Sequence, residues 1–362
     1  MGQRRENRAQ HHRDQGHRRP GRPGFRGRRA AHRRRNRGGG GPGPAGRGPD
    51  SVPHHRVLPP RRRQGRRGLA DLAHARQRPG PADAQARNGM RTVLDRVSVE
   101  GPAGKLSVLR TADDRPGAPL VLLHPINSAA VVWEDVAARL DRPIVAPDLR
   151  GHGNSGQTGP FTVEEGYVPD VLAVLDALGL GAVHLAGGSL GGTISVALAA
   201  LHPRRVRSVA AFGSTLGTGV PAEAIAAMAR DLEASGTAGY FAGQVPEIVG
   251  RQHRDSARVR EVMAEAVGAR PTAVVAEILY GAFGADIRHL AGKVAPAGIP
   301  VLAVAGTEDP TCPPAMSREL AEATGGAAKE LDGTGHLPML EEPGQVADLL
   351  RDHLARAEEG RP

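Results

Sequence analysis

Three residues carry the side chains for a proton-relayed nucleophilic attack: Ser189, Asp309 and His336. Ser189 stands in Gly187-Gly188-Ser189-Leu190-Gly191-Gly192, a G-x-S-x-G run with an apolar stretch on either side. Between a strand and a helix, such a run makes a sharp turn that lifts the serine hydroxyl above the strand's end. The helix N-terminus then lies where an oxyanion would form, and its dipole favours negative charge. An alkyl hydroxyl is a poor nucleophile until a base takes its proton, so a histidine and an orienting carboxylate are required. Asp309 in Gly306-Thr307-Glu308-Asp309-Pro310 and His336 in Gly333-Thr334-Gly335-His336-Leu337-Pro338 supply them, in the order serine, acid, histidine. Taken singly, each has an ordinary explanation. A serine can simply cap a helix, aspartate before proline is a common turn residue, and a loop histidine needs no role. Glu308 is a rival acid one position earlier. All three groups falling just past strand-like runs, in one order, favours the joint reading. No Gly-Lys-Ser/Thr step follows the glycines, which removes a phosphate-binding loop.

The tetrahedral oxyanion needs backbone donors. The loop after Leu120-Val121-Leu122-Leu123 reads His124-Pro125-Ile126-Asn127-Ser128, and the N–H groups of Ile126 and Leu190 are the candidate pair. Pro125 lacks an N–H, but the required donor belongs to Ile126. Trp133, Tyr280 and Phe283 are the candidate substrate contacts, with core packing as the ordinary alternative for each. Cys312, the single cysteine, follows Asp309 by three residues without an elbow of its own and is expected to pack in the interior.

The elements needed to position these groups are legible from Met90 onward. Val93 to Glu100 and Lys105 to Thr111 alternate as a half-exposed hairpin around Gly101-Pro102-Ala103-Gly104. Leu120–Leu123, Pro143–Ala146, Val183–Ala186, Val206–Phe212, Pro300–Ala305 and Ala328–Leu331 read as strands. Helical patterns fall between them, at Trp133–Leu140, Val163–Leu178, Leu190–Leu201 and Pro343–Arg356. Strands alternating with crossover helices give a mostly parallel sheet covered on both faces. Residues 216–290 lose the alternation and look purely helical, too long for a loop and suited to an inserted cap over the site. The core is therefore expected at 90–215 and 291–362.

The formal net charge of +10 conceals two unlike pieces. Residues 1–89 hold 24 Arg, no Lys and 5 acidic residues, whereas residues 90–362 are net negative. The first piece, rich in Gly and Pro and poor in large apolar residues, cannot offset its ordering entropy and is expected to be disordered. Three readings stay open for it: a nucleic-acid-binding tail, a targeting peptide, or translated upstream sequence with the functional start near Met90. One cysteine excludes an internal disulfide and a Cys-rich metal site. No run of about 18 apolar residues is present to span a membrane, and a cytoplasmic protein is the expectation.

With these residues in view, the chain from Met90 to its end resembles the α/β-hydrolase superfamily. The resemblance is carried by the His124-Pro125 loop with Trp133 downstream, Pro147-Asp148-Leu149-Arg150-Gly151-His152-Gly153-Asn154-Ser155, the Ser189 elbow, and the Asp309 and His336 loops. It implies an eight-stranded sheet flanked by helices, an inserted helical cap, and structural rather than catalytic roles for Asp148, Arg150 and His152. A serine at the elbow separates the chain from the haloalkane dehalogenases and epoxide hydrolases, which use aspartate there. The chain then looks like 3-oxoadipate enol-lactonase, related carboxylesterases, carbon–carbon bond hydrolases and cofactor-free haloperoxidase-like esterases, and a compact cap of about four helices is similar to the lactonase group. The resemblance implies hydrolysis of a small-molecule ester or lactone without cofactor or metal. A non-catalytic ligand-binding relative is the competing class, and a role through the Arg-rich tail on nucleic acid a third.

Overall fold

Leu120 and Leu122 pack into one hydrophobic cluster while Val121 and Leu123 pack into another. This short run is apolar throughout because its strand is buried on both faces, alternate side chains serving opposite sides of the sheet. The computed structural model describes residues 94–112 and 115–360; the expectations for residues 1–89 lie outside the described residues.

The strands are β1 (Leu94–Gly101), β2 (Gly104–Thr111), β3 (Leu120–Leu123), β4 (Ile144–Pro147), β5 (Val183–Gly188), β6 (Val206–Phe212), β7 (Val301–Gly306) and β8 (Ala327–Leu331). They form one sheet in the order β1-β2-β4-β3-β5-β6-β7-β8. β1, β2 and β4 pair antiparallel, and every later pairing is parallel. The longer helices are α1 (Val168–Ala177), α2 (Leu190–Leu201), α3 (Ala222–Ile248), α4 (Ala257–Val267), α5 (Thr272–Phe283), α6 (Pro314–Thr324) and α7 (Pro343–Glu359). α2 packs on β5 and β6 and is buried along almost its whole length, which is why it reads as uniformly apolar rather than amphipathic.

Two expected helices differ in form. The stretch expected at 133–140 is a 3-10 turn at Ala130–Trp133 continued by one α-turn at Glu134–Ala137. The helix expected from Val163 opens as a π-helical turn over Val163–Tyr167 before α1 begins. Pro169 in the first turn of α1 has no N–H to donate, and this loosens the α-type ladder at that junction.

Between β6 and β7, α3, α4 and α5 build a helical insertion. α3 is kinked at Gly236, whose φ is 69°. Ile225 and Leu232 of α3 pack with Val275 and Leu279 of α5 as a separate small core, and Ile126 from the β3 loop packs against it. Among the described residues no helix is long and apolar enough to cross a membrane.

Candidate active site

The turn at Ser189 is strained in the way its sequence requires. Ser189 has φ 50° and ψ −119°, a combination that costs a non-glycine residue about 1–3 kcal/mol. Its N–H donates to the Phe212 carbonyl at 2.8 Å, tying the turn to the end of β6. The flanking glycines are needed for close approach. A Cβ on Gly187 would stand 2.2 Å from the Gly191 carbonyl carbon, and one on Gly191 would stand 2.2 Å from the Leu123 oxygen. β3, β5 and α2 could not converge beneath the serine with larger residues there.

The three groups selected from the sequence meet. His336 Nε2 lies 3.0 Å from Ser189 Oγ, and His336 Nδ1 lies 2.8 Å from Asp309 Oδ2. A carboxylate only accepts, so Nδ1–H is the donor to Asp309 and Nε2 is left free to accept from serine. Asp309 Oδ1 accepts the N–H groups of Thr311 and Cys312 at 2.8 and 2.9 Å, which fixes the carboxylate plane. Glu308, the rival acid, faces away: its carboxylate accepts from the Arg251 N–H, Nε and Nη2 at 2.6–2.9 Å. Burial, with the Asp309 charge adding, pushes the Cys312 thiol well above its ordinary pKa, so it stays protonated and inert.

Sequence reasoning did not single out Glu341. Its buried carboxylate accepts from the N–H groups of Gly335, Leu337 and Gly250 at 2.7–2.8 Å. The His336 loop is thus clamped from both sides of the histidine and joined to the end of α3, where Ile248 also accepts the His336 N–H at 2.7 Å. A glutamate five residues past His336, directly after the apolar run Leu337-Pro338-Met339-Leu340, was the available signal.

Ile126 and Leu190 line a small space of about 40 Å³ beside Ser189. Leu190 opens α2, where first-turn N–H groups have no intrahelical acceptor. Ile126 is held by its neighbour: Asn127 adopts φ 55° and donates its N–H to His152 Nε2 at 3.0 Å. His124 Nε2 likewise accepts the Leu149 N–H at 2.9 Å. Burial lowers the pKa of both imidazoles, keeping them in the neutral form that can accept. Asp148 completes the scaffold, accepting from the Ala130 N–H at 2.9 Å, Arg96 at 2.8 Å and the Asn154 N–H at 3.0 Å.

Of the aromatic candidates, Phe283 lines both the small space and a larger cleft of about 320 Å³ that contains His336, Ile126 and Asn127. Trp133 and Tyr280 lie elsewhere. Trp133 is 1% exposed and packs edge-to-face on Phe212 of β6 at 6.1 Å. Tyr280 is 47% exposed on the outer face of α5, beside Thr162 and Ile287 rather than the cleft. Leu279 and Phe283, four positions apart on α5, share the face that lines the cleft, and Tyr280, one position on from Leu279, is rotated about 100° from it. Among the described residues no cluster of His, Cys, Asp or Glu could hold a metal ion.

The sheet order and this site define a class of protein, and sequence comparison agrees: the profile of the alpha/beta hydrolase family matches residues 120–349. The chain belongs to that family and is a hydrolase. Among curated proteins it is similar to a pimeloyl-[acyl-carrier protein] methyl ester esterase of Neisseria meningitidis, with 28% identity over 259 residues, 67% of this chain and 80% of the relative. Among solved structures it is similar to the enol-lactonase from Burkholderia xenovorans, with TM-score 0.66 and 25% identity over 72% of this chain and 100% of that one. An N-acyl homoserine lactone degrading enzyme superposes with TM-score 0.59 and 28% identity over 71% of this chain and 99% of its own.

Proposed function

We propose that this chain hydrolyses a carboxylic ester or lactone by acyl transfer through Ser189. The observation that carries the reading is the unbroken relay from Asp309 through His336 to Ser189, with contacts of 2.8 and 3.0 Å, at the edge of an apolar cleft. His336 Nε2 takes the Ser189 proton as Oγ adds to the carbonyl carbon. Asp309 holds the Nδ1–H tautomer and stabilises the imidazolium that forms. The oxyanion is received by the N–H groups of Ile126 and Leu190, each such donor being worth roughly 100- to 1,000-fold in rate. His336 then protonates the departing alkoxide, and a water activated by the same base releases the acid and restores the serine.

Two named relatives support the choice of bond, one a methyl ester esterase and the other an enol-lactonase. The lining of the cleft contains neither Lys nor Arg, and this suits an uncharged substrate. Residues 216–290 act as a cap that excludes water from the acyl-enzyme.

Ser189→Ala is expected to reduce p-nitrophenyl acetate turnover to background while leaving the thermal unfolding transition in place. Turnover at the wild-type level would refute the assignment. Covalent labelling of Ser189 by a fluorophosphonate separates this reading from a non-catalytic, ligand-binding relative, which would not be labelled.

A further inference from the structure

A second pocket, of about 280 Å³ and open to solvent along Ala238, Ala242, Arg260 and Ala264, lies between α3 and α4 and shares a wall with the catalytic cleft. Phe241, Val245 and Met263 line both spaces, so the partition is one layer of side chains thick. On α3 the lining positions are 238, 241, 242 and 245; on α4 they are 260, 263, 264 and 267. Each set follows the i, i+3, i+4, i+7 spacing of a single helix face. Two such faces turned toward each other normally interdigitate to close packing. Here they do not, because Ala238, Ala242 and Ala264 stand where larger side chains would fill the seam.

The chemistry of the lining selects the occupant. Apart from Arg260 every lining residue is apolar. The Arg260 guanidinium is engaged by the Arg254 and Asp255 carbonyls at 3.2 and 3.0 Å, leaving its aliphatic stem to border the space. Such a groove offers nothing to a polar group and favours a flexible apolar chain. Met263 is unbranched and Phe241 only half-buried, and these are side chains able to swing and open the partition. Beside the nucleophile, the space bordered by Ser189 and Leu190 is only about 40 Å³, enough for a small group.

We propose that this second pocket holds the end of a linear alkyl chain that runs from the cleft between Phe241 and Met263, so that the preferred substrate is an ester with one small side and one long alkyl side. This rests on the ester-hydrolase reading above. Each methylene taken from water into an apolar site contributes about 0.8 kcal/mol, which is about fourfold in kcat/KM.

The test uses the full chain and two ester series, methyl butanoate against methyl octanoate and butyl acetate against octyl acetate, with released acid titrated at constant pH. The eight-carbon to four-carbon ratio of kcat/KM is expected to exceed ten in one series. A rise in the methyl esters places the chain on the acyl side; a rise in the acetates places it on the alcohol side. Ala264→Phe and Ala242→Phe, at exposed positions of the two helices, fill the pocket and are each expected to lower that ratio at least tenfold. Because each ratio is taken within one protein, partial loss of folding cancels. Flat ratios in both wild-type series, or ratios unchanged in both variants, would overturn the inference. If Ser189 is labelled by a fluorophosphonate and short esters turn over, such a result removes only the alkyl-chain pocket. If no ester is cleaved and Ser189 is not labelled, the ester-hydrolase reading fails and this inference with it.

Discussion

Replacing Asp309 by asparagine changes one atom type and, by the contacts around it, reverses the histidine. Asp309 Oδ1 accepts two backbone N–H groups, from Thr311 and Cys312. An asparagine there must keep its oxygen at that position, since turning the NH₂ toward them would leave two buried donors unsatisfied at about 1–3 kcal/mol each. The NH₂ therefore occupies the Oδ2 position, facing His336 Nδ1 at about 2.8 Å. Two donors cannot share that contact, so the imidazole moves its proton to Nε2 and presents an N–H to Ser189 Oγ. The proposed base is lost although every heavy atom stays in place. Loss of the correct tautomer lowers kcat by about 10⁴-fold, or about 5.5 kcal/mol of barrier. The assay is p-nitrophenyl acetate hydrolysis at pH 8 alongside thermal unfolding, with Glu308→Gln as companion. Glu308 is bound to Arg251 and turned away from His336, so its variant should retain kcat. An Asp309→Asn enzyme that is folded and within tenfold of wild type would refute the reasoning, as would inactivation by Glu308→Gln alone.

Two further expectations concern the scaffold. Arg150 and Asp170 form a buried bidentate pair at 2.6 and 2.6 Å, so Asp170→Ala should strand a buried guanidinium and lower the unfolding free energy by about 3–5 kcal/mol in urea titration; a loss within error would show that water reaches Arg150. Burial pushes His353 down to about 4, and also lowers the pKa of His124, His152 and His184, whereas the unfolded chain titrates near 6.5. Between those values the unfolded state binds more protons, so stability present above pH 6.5 falls as pH drops toward 4, by about 1.4 kcal/mol per pH unit for each histidine. Urea midpoints at pH 7.5 and 5 should differ accordingly, and by less in His353→Gln; equal midpoints in the wild type would contradict the burial argument.

The hairpin, the buried strands and the serine elbow were legible because their signals are local. Alternation in β1 and β2, continuous apolar runs in β3 and β5, and glycines bracketing Ser189 need only neighbours along the chain to be read. Asp309 and His336 were selected by the same means, standing three and five residues past the ends of β7 and β8. Helix boundaries were less secure: Ala130–Trp133 and Val163–Tyr167 take 3-10 and π forms that no periodicity distinguishes from α.

Residue types and order alone determined which groups could form a relay, since the chemistry fixes the types and the strand ends fix the candidates. Only the tertiary structure decided that Ser189 and His336, 147 positions apart, stand within hydrogen-bond distance, and that Glu341 clamps the loop between them and α3. It also decided against Trp133 and Tyr280 as cleft residues and in favour of Phe283, and it left the seam between α3 and α4 unfilled. A sequence records which face of its own element a side chain occupies. What that face meets depends on how separate elements pack, and close packing is a property of pairs far apart in the chain.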